Sequence, residues 1–105
     1  MSERAFVVVL RVHLVFPESG SLKGKRAELN RVKAHLRDRI GAAVAEVGQQ
    51  DAWQRSTLAV ALVAGTARRA EEVADGVARF LDARFPQGVG IERRLASWND
   101  LEAIR

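Results

Sequence analysis

One antiparallel sheet of four strands with two helices on a single face, an α+β plait, is what the sequence predicts, and three observations predict it. Residues 5–16 and 56–64 are apolar and β-branched enough to be central strands. Leu22–Ile40 and Ala67–Phe85 repeat their apolar residues at helical spacing. The order is strand, helix, strand, strand, helix, strand. At 105 residues the chain matches the commonest domain size, so residues 1–105 are expected to form one domain around one core.

The first strand, AFVVVLRVHLVF from Ala5 to Phe16, has one wholly apolar parity: Phe6, Val8, Leu10, Val12, Leu14 and Phe16. The other parity, Val7, Val9, Arg11, His13 and Val15, is mixed, so the first should meet the helices. Pro17–Gly20 then turns the chain into the first helix. In that helix Leu29, Val32, Leu36 and Ile40 recur at steps of three, four and four and line one face. Ser21 stands at the N-cap position and Gly41 where a left-handed C-terminal cap belongs.

Ala42–Val47 reads as a short strand of small residues, and Gly48–Trp53 as the hairpin connection to a strand over Ser56–Ala64. In that strand Leu58, Val60 and Leu62 share one parity and Thr57, Ala59, Ala61 and Val63 the other. The second helix, Ala67–Phe85, is expected to bury Val73, Val77, Phe80 and Leu81 with Arg84 at the edge, and Pro86–Gly88 ends it. A last strand over Val89–Trp98 carries Glu92, Arg93 and Arg94, the charge of an edge strand. The tail from Asn99 to Arg105 is expected to fray or to add a short turn.

Apolar strands first and third and charged or short strands second and fourth match a ferredoxin-like α/β plait (βαββαβ), in which the first and third strands are central. Helices would then cover one sheet face only. The other face would present Val7, Val9, Ala59, Ala61 and Val63, a patch that favours a homodimer or larger assembly through the open face.

The first helix is anomalous in charge. From residue 22 to 40, seven basic residues face two acidic ones, an excess of +5 against +4 for the whole chain. Lys23, Arg26, Asn30, Lys33 and Arg37 fall on one stripe beside the apolar face. Cations near the helix start oppose the macrodipole, whereas the second helix places Glu71 and Glu72 near its start and Arg79 and Arg84 near its end, as stability favours. A local rule broken without structural gain points to a functional surface, here one for phosphate or carboxylate groups. The plain alternative is a solvated charged face.

Composition excludes several classes. There is no cysteine, which removes disulfides, thiolate zinc sites and cysteine nucleophiles and agrees with a reducing cytoplasm. The apolar run Ala5–Leu10 stops at Arg11 and is too short for a signal peptide or a membrane span. A sequence pI near 10.6 favours acidic partners, with nucleic acid foremost. Six aromatic residues, none of them tyrosine, do not make a broad stacking platform.

Candidate sites divide unevenly. SGSLKGKR fails as a P-loop, because Gly20 to Gly24 is one residue short and Arg26 stands where a magnesium-binding Ser or Thr belongs. His13 and His35 are the only histidines and lack metal-ligand spacing; His13 reads as a satisfied interface residue, and His35 should face away from the core with Arg31 and Glu28. Asp51, Trp53, Gln54 and Arg55 form a second constellation. Trp53 beside Arg55 suits stacking on a base or holding a partner protein; alternatively Trp53 closes the hairpin against the core while Asp51 and Arg55 pair across it. No Ser-His-Asp spacing or paired carboxylate stands out, so no catalytic residue, metal or cofactor is assigned.

The stretches SLKGKR at Ser21–Arg26, AEVGQQDAWQR at Ala45–Arg55 and the STLAVALV that follows resemble the YlxP-like family of small bacterial proteins over nearly the whole chain. The resemblance implies a ferredoxin-like fold and a cytoplasmic bacterial protein, and it supplies no catalytic residue. Family genes often lie near those of translation and transcription factors, which implies RNA or ribosomes as the context. Gly24 stands where relatives commonly have a Glu that would complete a capping box with Ser21. Acylphosphatases share the plait, but PESGSLK lacks the arginine of their phosphate loop.

The expectation is therefore a non-enzymatic protein that binds RNA or the ribosome. Phosphate contacts would come from Lys23, Arg26, Lys33 and Arg37, assisted by Lys25 and Arg55, with Asp51, Trp53 and Gln54 as further partner contacts. The rival expectation is a structural or regulatory homo-oligomer that binds a small anionic ligand or a protein, its basic helix merely solvated.

Overall fold

The computed structural model describes residues 3–104. Four strands, β1 (Phe6–Val15), β2 (Ala43–Gly48), β3 (Arg55–Ala64) and β4 (Val89–Ser97), form one antiparallel sheet in the order β2-β3-β1-β4. Helices α1 (Leu22–His35) and α2 (Ala67–Arg84) connect β1 to β2 and β3 to β4. This is the ferredoxin-like βαββαβ plait. A short helix α3 (Trp98–Glu102) follows β4, closed by a capping box in which Ser97 and Asp100 bond each other's backbone N–H groups. It occupies the tail expected to fray or turn, while Arg105 lies outside the described residues.

The apolar parity of β1 and that of β3 meet the helices: Val8, Leu10, Val12, Leu58 and Val60 are fully buried. From α1 come Leu29, Val32 and Leu36, and from α2 Ala70, Ala74, Val77 and Leu81. The α2 stripe is rotated from the expected one. Val73 and Phe80 are only partly buried, because two alanines let the helix lie close to the sheet on the neighbouring line.

The last turn of α1 widens into a π-helical segment, Leu36–Ile40. Gly41 ends it at φ 84°, ψ 28°, and the N–H groups of Gly41 and Ala42 both reach Leu36 O. Only a residue without a Cβ takes this conformation at little cost. Ser21 caps the start by accepting from Gly24 N–H at 3.1 Å, so glycine at this position loses only the reciprocal half of a capping box.

His35 does not face solvent as expected. Its ring stacks on Phe80 of α2, centroids 3.8 Å apart and planes within 7° of parallel, which joins the two helices over the core.

Candidate partner-binding surface

Lys25 is fully buried, and its Nζ donates to the carbonyls of Gln49 at 2.9 Å, Gln50 at 3.2 Å and Arg55 at 3.0 Å. An ammonium has three N–H donors, and all three are used. The expectation that Lys25 assists phosphate binding is therefore corrected: it faces inward and holds the β2–β3 loop. Burial lowers its pKa from the usual lysine value; the nearby charge of Arg26 adds to the effect, and Glu46 and Asp51 oppose it. A sequence signal for this existed. Lys25 lies four residues before Leu29 and seven before Val32, on the apolar stripe itself.

The loop needs such an anchor. Gln49 adopts φ 63°, a left-handed conformation that side chains rarely take. Its carbonyl bonds Lys25 and also accepts from Ala52 N–H at 3.2 Å, which closes the turn. Gln54 fixes the other flank: Nε2 donates to Pro17 O and Ser19 O, and Phe16 N–H donates to Gln54 O at 2.7 Å. Gln54, expected among partner contacts, also ties two loops of its own chain and stays exposed.

Trp53 projects from the fixed loop with 55% of its surface exposed. It does not close the hairpin against the core, and Asp51 and Arg55 form no ion pair with each other or with any described residue. Both are exposed.

The rest of the basic stripe is partly engaged. Glu46 lies on the helix-facing parity of β2 with its side chain only 13% exposed, where it receives both guanidinium nitrogens of Arg26 and Lys33 Nζ at 2.7 Å. Arg26 and, after it, Lys33 hold the Glu46 pKa down to about 2. Lys33 is nearly as enclosed as its partner, and Arg37 donates to Val44 O at 3.0 Å while remaining exposed. Glu28 is likewise shared, by Arg31 at 2.8 Å and Arg84 at 3.1 Å, which bridges α1 to α2. On β4, Arg93 points to the helices and meets Glu71 and Asp75 of α2, both at 2.9 Å. Lys23 and Arg39 form no ion pair among the described residues.

Among the described residues, no helix covers the opposite face of the sheet. Val63 is 83% exposed and Val9 40%, beside the small side chains of Ala59 and Ala61. A polar row crosses this face. Arg11 grips Glu92 through two nitrogens at 2.6 and 2.8 Å, His13 Nε2 lies 3.0 Å from Glu92 Oε1, and His13 Nδ1 lies 3.4 Å from Thr57 Oγ1. Gly90 opposite His13 leaves its ring room to lie across the sheet. Arg11 and then His13 hold the Glu92 pKa down to about 2. Hydroxyl, imidazole and carboxylate follow the order of a nucleophile relay. Thr57 sits in a central strand paired to β1 and β2, beside a register shift in the β2–β3 ladder.

These features define a ferredoxin-like plait with a basic helical layer, an anchored loop that presents a tryptophan, and an uncovered sheet face. The chain belongs to the family described as "Protein of unknown function (DUF503)", whose profile matches residues 7–93. It is 35% identical over 78 residues to "Uncharacterized protein YlxP" of Bacillus subtilis (strain 168), covering 74% of this chain and 80% of that protein. Among solved structures, the de novo designed protein Foldit4 is similar with a TM-score of 0.54 at 12% identity, over 88% of this chain and 96% of the other. Ribosomal protein S6 of Thermotoga maritima aligns with a TM-score of 0.49 at 14% identity, over 96% and 92%. Likeness at such identities concerns the fold and leaves function to the surface. No helix among the described residues is long and apolar enough to cross a membrane.

Proposed function

We propose that the protein is a non-enzymatic, cytoplasmic RNA- or ribosome-binding protein that contacts phosphates through the exposed cations at the α1 side. One observation carries this reading: the two carboxylates that pair with cations of α1 are each shared by two cations, Glu46 by Arg26 and Lys33 and Glu28 by Arg31 and Arg84. Internal pairing therefore leaves a positive remainder, to which exposed Lys23, Arg37 and Arg55 add. Of the cations proposed from sequence, Lys23, Arg26, Arg37 and Arg55 stay in the contact set; Lys33 contributes field more than contact because it is enclosed with Glu46.

With about four phosphates neutralised, affinity for RNA should fall roughly 50- to 150-fold between 50 and 200 mM salt. Fluorescence anisotropy with ribosomal RNA fragments reads this directly. Lys23→Ala and Arg37→Ala should each reduce the salt slope by about one. An unchanged slope in both would sink the proposed contact set. Charge reversal at Lys33 is not a clean test, because it would set two carboxylates against each other where the Glu46 side chain is largely enclosed.

The uncovered sheet face favours self-association. Two ten-residue strands at its centre give a length of about 33 Å, and four strands a width of about 19 Å, so each copy offers roughly 600 Å². A standard interface takes about 800 Å² from each partner. The polar row is matched internally, which lowers the cost of covering it. Sedimentation velocity should give twice the 11.6 kDa chain mass, and Val63→Asp should return the monomer. A wild-type monomer at tens of micromolar would refute the face as a dimer contact.

A further inference from the structure

The anchored loop carries an inference that deepens the RNA reading and rests on it. We infer that Trp53 is a stacking platform for one unpaired base, so that the protein prefers single-stranded or looped RNA to a continuous duplex.

Two observations converge on the indole. It is exposed, and it stacks on no other aromatic ring: the aromatic pairs among the described residues are Phe16 with Phe85 and His35 with Phe80. Its loop is held by a fully buried lysine with three carbonyl bonds, by the Gln54 ties and by a left-handed Gln49. Backbone strain kept in place by surrounding contacts tends to occur where geometry serves a partner. An indole presented by a fixed loop loses little conformational entropy when a base lands on it.

The neighbours decide the kind of partner. Gln50, Asp51, Gln54 and Arg55 surround the indole in the chain, and all four are exposed. A protein hot spot is a well-packed pocket from which water is excluded, whereas these neighbours are polar, charged and open to solvent. A base needs only a π-face beside cations, and every base offers one. Lys25 bonds the carbonyls of Gln49, Gln50 and Arg55, which brings the start of α1 against the loop, so Lys23 and Arg55 lie at the same end of the molecule as Trp53. Phosphates flanking a stacked base would meet that charge. Asp51 is an exposed acceptor in the same turn, suited to the amino edge of cytosine or guanine and unfavourable to a phosphate at the tip.

The test uses two tryptophans already in the chain. Trp98 is 59% exposed at the start of α3, so Trp98→Phe leaves the fold intact and makes Trp53 the single reporter. A 12-nucleotide RNA is titrated single-stranded and as a duplex with its complement. The single strand should quench Trp53 fluorescence. Trp53→Ala should weaken single-strand binding roughly 5- to 150-fold, leave duplex binding unchanged, and be largely rescued by Trp53→Phe. Circular dichroism of Trp53→Ala should match the parent, since more than half of the Trp53 surface is exposed and the residue is not part of the core cluster. If both RNAs bind and neither quenching nor affinity depends on Trp53, stacking is overturned while the phosphate reading stands, and the indole passes to a protein partner. If no RNA binds at 50 mM salt, both readings fall together.

Discussion

Truncating Lys25 to alanine is expected to destabilise the fold by about 3–5 kcal/mol, from loop carbonyls left without their donor and from the lost packing of the methylene stem. Three carbonyls lose a charge-assisted donor at once. The left-handed Gln49 loses one of the two contacts that hold its carbonyl, so the turn can relax and expose the start of β3. The buried methylene stem is lost as well. Lys25→Met separates the two contributions, since it keeps the stem and removes the ammonium; about 2–3 kcal/mol should remain as the cost of the missing bonds. Lys23→Ala, two residues away and exposed, should stay within about 0.5 kcal/mol. Urea unfolding followed by tryptophan fluorescence measures all three. Equal midpoints for wild type and Lys25→Ala would mean that water replaces the ammonium without loss and that the loop is not anchored by it. Against a total stability of about 5–15 kcal/mol, the expected loss is large for one surface-looking lysine.

Lys25 also shows why the fold was more legible than the site. Strand parities in β1 and β3 and the 29-32-36 spacing in α1 depend on apolar residues, which report their side of an element directly, and each lies where its periodicity puts it. Charged residues on core parity do not report themselves. Lys25 on the α1 stripe, Glu46 under α1 on β2, and Arg93 between Ile91 and Leu95 on β4 all point inward, and each is matched by groups from another element: loop carbonyls, Arg26 with Lys33, and Glu71 with Asp75. Local sequence fixes the direction of such a side chain but not its partner, so counting charge along α1 overstated what reaches solvent. The same limit applies to Trp53. Large aromatics beside strands usually pack, and only the anchoring of its loop by residues from two distant segments keeps this one outside. The stretches SLKGKR and QQDAWQR, far apart in sequence, meet in the fold: Lys25 of the first holds the backbone of the second.

Acid should unfold the protein chiefly through Glu46. Its folded-state pKa of about 2 lies below the unfolded value of 4.5, so the unfolded chain binds more protons in that interval and stability increases with pH across it. The contribution is complete above about pH 4.5 and is lost as pH falls towards 2. A shift of this size in a side chain only 13% exposed corresponds to about 3 kcal/mol. Glu46→Gln keeps the shape and removes the charge, leaving Arg26 and the enclosed Lys33 to face each other without a counterion. It should lose about 3 kcal/mol at pH 7 and flatten the acid limb by close to one proton. Glu92, also held to about 2, titrates in the same window from the open sheet face, where its side chain is 44% exposed. Salt separates the two: at 0.5 M the Debye length is short enough to screen an exposed pair, while the enclosed Arg26–Glu46–Lys33 group is screened much less. The acid limb that survives high salt should therefore vanish in Glu46→Gln and persist in Glu92→Gln. The opposite pattern would place the pH-sensitive strength of the fold on the open sheet face and not beneath α1.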